Sequence, residues 1–328
     1  MSGRSMDRRR FLQVSAGGVG AAAAVIGAKR VFAERHRVHI ARASSYDIDL
    51  AALLHDGLRE LGQLELLRGK KVLLKPNLVE TAAHHAHINT HPAMVVAAAQ
   101  VAAELGATEV TVAEGPGHRR DVELVLDESG LGTALNEHRL RFVDLNHDAV
   151  ETVENRGAFT TLKQLTLPRT VLKADVVISM PKLKTHHWVG ATLAMKNCFG
   201  IMPGLVYGWP KNRLHHEGIN RSILDIVATV RPELAIVDGI LGMEGDGPIM
   251  GTPKPAGVVV MGTNLPAVDA TCTRIMQIDP AKVIYLAGCP SSIGHTDPSR
   301  IDLTGEAVRQ CAMPFVMPPG KDDLRATV

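Results

Sequence analysis

Apolar residues along this chain fall into short runs that alternate with longer segments of helical spacing. The runs RVHIARA (37–43), KKVLLKP (70–76), TEVTVAE (108–114), LRFVDL (140–145), ADVVISM (174–180), ELAIVDG (233–239) and AGVVVMG (256–262) are rich in β-branched residues. Several are apolar almost throughout, the pattern of strands covered on both faces of a parallel sheet. Helical patterns lie between them. Residues 47–62 have an Asp cap and a stop at Gly62, and 90–107 have Thr90 as cap, Pro92 in the first turn and a stop at Gly106. Residues 219–232 are halted by Pro232, and 264–277 open on Asn264 and Pro266. The alternation predicts an α/β fold, a mostly parallel sheet with helices on both faces. Residues 146–170 predict a small β excursion, and the Gly-, Pro- and aromatic-rich stretch 201–218 a long loop.

The N-terminus breaks this pattern. A basic start, an apolar Gly/Ala-rich stretch from Val14 to Ala28 and small residues at Val31 and Ala33 predict a signal peptide over 1–33. Arg8 and Arg9, followed by Phe11 and Leu12, resemble the twin-arginine export signal. That resemblance implies passage through the twin-arginine translocase, a periplasmic location, and export in the folded state, often with a cofactor already inserted. The expected organisation is a signal segment, 1–33, and one α/β domain, 34–328. No second hydrophobic span follows, so cleavage would leave a protein that is not integral to the membrane.

Charge changes accordingly. Residues 1–33 hold six of the 36 basic and one of the 34 acidic residues, leaving 30 against 33 and a net charge of −3. A mildly acidic chain argues against nucleic acid and anionic membrane surfaces as partners. Four cysteines, Cys198, Cys272, Cys289 and Cys311, show no C-x-x-C spacing. That excludes an iron–sulfur cluster ligated by this chain alone.

In an open α/β sheet, ligands sit beyond the carboxyl ends of the strands. There the chain delivers Lys75 and Asn77, then Glu114 with a Gly-Pro-Gly turn, then Lys182, Lys184, His186 and His187, then Asp238, Glu244 and Asp246. Lysines gathered in a cleft repel one another, so they need acids or an anionic ligand. A helix predicted over ATLAMKNCFG would add Lys196, Asn197 and free N–H groups to the same edge. The GPG turn at 115–117 lacks the order of a nucleotide-binding loop. Histidines recur at 84, 85, 87, 91, 186, 187, 215 and 216, and imidazole suits a divalent metal. His87, His186 and His215 are the candidate ligands, although no run has the spacing of a zinc motif. Asp269 falls early in its own helix, where an acid suits the helix N-terminus.

LLKPNLV (73–79), THPAMV (90–95), PKLKTH (181–186), MKNCFG (195–200), VDGI (237–240), MEGDGP (243–248) and AVDA (267–270), in this order, resemble the family called domain of unknown function 362. The similarity covers about residues 38–290. Many members of that family end in a ferredoxin-type module, whose cysteines this chain lacks. The matched motifs fall on Lys75, Asn77, Lys182, Lys184, His186, Lys196, Asn197, Asp238, Glu244 and Asp269.

Together these features predict an exported protein with an anion-binding cleft, an enzyme acting on a small anionic substrate. His186, Lys182 and Glu244 are the candidate catalytic residues. Lys75, Asn77, Lys184, Lys196, Asn197 and Asp238 are the candidate substrate-binding residues. A non-catalytic carrier or maturation factor for an exported redox enzyme is the other class these residues allow.

Overall fold

The computed structural model describes residues 35–81, 85–117 and 119–326. The predicted signal segment, with Arg8 and Arg9, lies outside the described residues, as does His84. All seven predicted strands form, most of them within two residues of the expected bounds. In chain order the strands are β1 (His36–Arg42), β2 (Lys71–Pro76), β3 (Glu109–Glu114), β4 (Arg141–Asp144), β5 (Val150–Glu154), β6 (Gln164–Pro168), β7 (Val176–Met180), β8 (Lys182–His186), β9 (Gly190–Thr192), β10 (Leu234–Glu244), β11 (Thr252–Lys254), β12 (Val258–Gly262) and β13 (Ile301–Gly305). The longer helices are α1 (Leu50–Leu61), α2 (Pro92–Glu104), α3 (Val122–Glu128), α4 (Leu131–Glu137), α5 (Ile219–Val230) and α6 (Leu265–Ile275). Among the described residues, no helix is long and apolar enough to cross a membrane.

The main sheet runs β13-β1-β12-β10-β7-β2-β3-β4. From β10 to β4 every neighbouring pair is parallel, so these strands end at one edge. β12 is the exception, antiparallel to both β1 and β10. Successive residues of each central strand feed opposite cores, as a pleat requires. Leu73, Val177, Ala235 and Val258 join α5 and α6 on one face. Val72, Leu74, Val176, Ile178 and Val259 join α1, α2, α3 and α4 on the other. Continuously apolar strands are therefore what a sheet covered by helices on both faces demands.

The excursion at 146–170 contains the β5–β6 hairpin, a separate two-stranded sheet. Three local expectations change. His91 caps α2, its Nδ1 accepting from Ala93 N–H at 3.2 Å, while Thr90 Oγ1 accepts from Asn77 N–H and donates to the Met180 carbonyl. The stretch 201–218 holds short helices at Gly204–Tyr207 and Asn212–His216 rather than one open loop. ATLAMKNCFG is not one helix: Gly190–Thr192 is β9, then a single helical turn, Ala194–Asn197, passes into a 3-10 turn, Cys198–Ile201.

Candidate functional site

β7 stops at Pro181, which has no N–H to continue the ladder. The chain resumes as β8 alongside the distal half of β10, with Lys182 opposite Asp238 and Lys184 opposite Met243. Side chains alternate along a strand, so Lys182, Lys184 and His186 share one face of KLKTH. β8 then turns through His187 and Trp188 into β9, which pairs Lys184 with Thr192.

Lys75, Lys182 and Lys184 are each 0 % exposed. Buried ammonium groups persist only when compensated, and each is compensated differently. Lys75 Nζ meets Glu114 Oε1 and donates to Asn197 Oδ1 at 3.0 Å and to the Pro76 carbonyl at 2.9 Å. Lys182 Nζ lies 2.6 Å from Asp238 Oδ2 and donates to Tyr46 Oη at 3.0 Å. Tyr46 Oη donates in turn to Asp238 Oδ1, and its ring stacks on His91 with centroids 3.7 Å apart. Lys184 Nζ donates to two carbonyls, Ile88 at 2.9 Å and Pro248 at 3.1 Å. Burial, reinforced by Lys182 and Lys196, holds Lys184 well below the ordinary lysine range.

Asp269 has a different place from the one its sequence position suggests. It reaches from α6 to the turn that carries Lys196 and Asn197, accepting from Ala194 N–H at 2.7 Å and Met195 N–H at 3.0 Å. Burial pushes its carboxyl up to about 8, against the pull of those two donors. The turn then sets Asn197 in one orientation. Its Nδ2 donates to the Lys75 carbonyl and to Ser179 Oγ, so its Oδ1 faces Lys75 Nζ and Asn77 Nδ2. Gly200 follows, and a Cβ there would fall on Glu114 Oε1 and 2.7 Å from Lys75 Nζ. Only glycine lets the backbone pass so close to that ion pair.

Asn77, Lys184, His186, Lys196, Asn197 and His215, all expected from sequence, line one cleft of about 500 Å³. Glu114, Trp188, Thr192, Phe199 and Lys211 join them. Lys196 Nζ sits 4.5 Å from the Phe199 ring centre, with no hydrogen bond or ion pair among the described residues. Burial, then Lys75 and Lys211, brings it down to about 8. Lys211 Nζ donates to the Gly115 carbonyl and to Asn146 Oδ1, both at 3.0 Å, and burial lowers it to about 8. His186 is held well below the usual imidazole range by burial and then by Lys196. Trp188 N–H donates to its Nδ1 at 3.1 Å, so the neutral ring carries its proton on Nε2.

The cleft's carboxylates are already engaged. Glu114 pairs with Lys75, Glu80 with Arg120 at 2.6 Å, and Asp246 faces His187 at 3.4 Å. Lys184, Lys196 and Lys211 have no ion pair of their own among the described residues. Among the described residues, Asn77 Oδ1, Glu114 Oε2 and Thr192 Oγ1, all buried atoms of cleft residues, also have no hydrogen-bond partner.

The other predicted residues do not line the cleft. Lys75 lies against it through Asn197 and Glu114, whereas Lys182 and Asp238 close on each other. Glu244 turns to Lys254 at 2.9 Å and accepts from Val316 N–H at 3.0 Å. His87 faces the Gly251 carbonyl at 3.3 Å and does not line the cleft that His186 and His215 share. Among the described residues, no three His, Cys, Asp or Glu side chains gather into a metal-holding group. Lys211 escaped sequence reasoning because it falls inside the Gly/Pro-rich stretch. The strand character of β8 did have a signal, the alternation K-x-K-x-H.

Fold and site define an α/β protein with a lysine-rich, partly aromatic cleft at the carboxyl edge of its sheet. The chain belongs to the family described as Domain of unknown function (DUF362), which matches residues 72–274. It is 30% identical over 260 residues to a thylakoid-associated protein of Synechocystis sp., covering 76% of this chain and 77% of that one. Among solved structures, the lactate racemase apoprotein of Thermoanaerobacterium thermosaccharolyticum matches 74% of this chain at 11% identity with a TM-score of 0.46. The chain spans 57% of that protein's length. A Thermotoga maritima protein matches 71% of this chain at 14% identity with a TM-score of 0.39, and 59% of its own length is covered.

Proposed function

We propose that the cleft binds a small anion and that the protein is an enzyme that moves a proton on it. The observation that carries this is the charge balance: Lys184, Lys196 and Lys211 line one cleft, and none of them has an ion pair with a carboxylate among the described residues. Desolvated cations without carboxylate partners are stabilised by a bound carboxylate, phosphate or sulfate group. His186, neutral and protonated on Nε2, is the proton-moving group. Asn77 and Thr192 supply orphaned polar atoms for the uncharged part of the ligand. Lys75 and Asn197 hold the floor in place, and Lys182 with Asp238 braces β8 against β10.

The protein works outside the cytoplasm under this proposal. The Arg8–Arg9 pattern supports export, and the thylakoid association of the Synechocystis relative is consistent with it. The test is sulfate binding to the full chain by isothermal titration calorimetry. Lys184→Met with Lys196→Met is expected to weaken binding at least tenfold. Unchanged affinity in a folded double variant would overturn the proposal.

A further inference from the structure

We propose that Lys196 is an amine nucleophile, and that the ligand is an anionic aldehyde or ketone which forms an imine with its Nζ. This rests on the anion-binding reading of the cleft and adds the substrate class and the covalent step.

The other lysines at this edge are already held by fixed acceptors. Lys75 is engaged by Glu114, Asn197 and Pro76, and Lys182 by Asp238 and Tyr46. Lys184 and Lys211 each donate to two oxygens. An imine nitrogen carries at most one hydrogen, so a lysine that donates to two or more fixed acceptors would lose at least one of those hydrogen bonds on forming it. Among the described residues Lys196 has no such acceptor; its nitrogen lies over the Phe199 ring, in the wall of the cleft.

Its base is also held in place. Asp269 ties down Ala194 and Met195, Asn197 N–H donates to the Leu193 carbonyl, and the Asn197 side chain is locked between Lys75 and Ser179. A nucleophile on a rigid turn keeps its position relative to a bound ligand. Lys184 and Lys211, which keep their hydrogen bonds, serve as anchors for the ligand's anionic group. Burial and neighbouring cations keep part of the Lys196 population as free amine near neutral pH, the usual way an amine nucleophile is activated.

The step balances without a redox partner. The Lys196 lone pair attacks the carbonyl carbon and a C–N bond forms. His186 gives its Nε2 proton to the carbonyl oxygen and recovers one from the attacking nitrogen. The hydroxyl then leaves with the second nitrogen proton as water. Amine plus carbonyl becomes imine plus water.

Borohydride trapping tests this on the full-length protein. Pyruvate and dihydroxyacetone phosphate are the probes, separating a carboxylate from a phosphate anchor, with acetone as the neutral control. One reduced adduct mapped to Lys196, from either anionic probe and absent with acetone, is expected. Lys196→Arg should give none, and excess sulfate should suppress trapping in the parent. If Lys196→Arg fails to fold, the peptide map of the parent protein still decides. Sulfate binding without an adduct at Lys196 would overturn the imine and leave the anion-binding proposal standing. Absence of both sulfate binding and trapping would overturn both.

Discussion

Raising the pH from 7 to 9.5 is expected to release a bound anion in a way that reports directly on Lys196 and Lys211. Both side chains lie at about 8 in the free protein, against 10.5 for an ordinary lysine. Burial is the first cause for both, and Lys75 adds to it. An anion binds the protonated form and draws each group back towards its ordinary value. The sign follows: affinity is full below about pH 8, where both lysines are already charged, and falls as the pH rises beyond it. At pH 9 a lysine at about 8 is roughly one-tenth protonated, so affinity drops about tenfold if one lysine responds and about a hundredfold if both do. The loss per lysine levels off at about 300-fold, the full span between about 8 and 10.5. Calorimetric titration with sulfate, a dianion across this range, measures the affinity. Repeating it in buffers of different ionisation heat measures proton uptake, expected above pH 8. Lys196→Met should remove one of the two steps and flatten the profile. Constant affinity from pH 7 to 9.5 with no proton uptake would refute the account of the cleft's electrostatics.

Three further outcomes separate structural from ligand-binding residues. Asp269→Ala leaves two buried N–H groups without an acceptor and should cost about 2–4 kcal/mol in chemical denaturation; Asp269→Asn, which keeps one acceptor, should recover part of the loss. Lys182→Met strands the Asp238 carboxylate in the core and should cost about 3–5 kcal/mol, with Lys182→Met/Asp238→Asn less destabilised than the single variant. A double variant that costs the sum of the Lys182→Met and Asp238→Asn single costs would mean that the two do not act as a pair. Thr192→Val removes a buried hydroxyl that has no partner among the described residues, so the melting temperature should hold or rise; a clear fall would show that the hydroxyl is engaged in the folded protein.

Local sequence determined the frame. The apolar runs marked β1, β2, β3, β4, β7, β10 and β12, and those apolar throughout, β7 and β12, are buried along their whole length because a strand covered on both faces has no polar side to show. Asn264 announced the start of α6 by capping chemistry that needs only neighbouring residues, whereas α1 is capped by Asp49, two residues after the Asp47 that opens the predicted segment. The lysines, His186 and Asn197 were legible as a group, because a parallel sheet carries its loops to one edge. Which of them face the cleft was not legible. Lys182 and Lys184 are two residues apart on one strand, yet one meets Asp238 and the other two carbonyls, because the partner strand β10 shifts register between them. Lys211 entered the cleft from a stretch that reads only as a loop, through contacts with Gly115 and Asn146 on distant segments. Asp269 belongs by sequence to its own helix and by contact to the turn of Lys196. Local propensity follows from neighbours along the chain. Pairing of buried charges follows from which segments the fold brings within a few ångströms, and that is decided only when the tertiary structure forms.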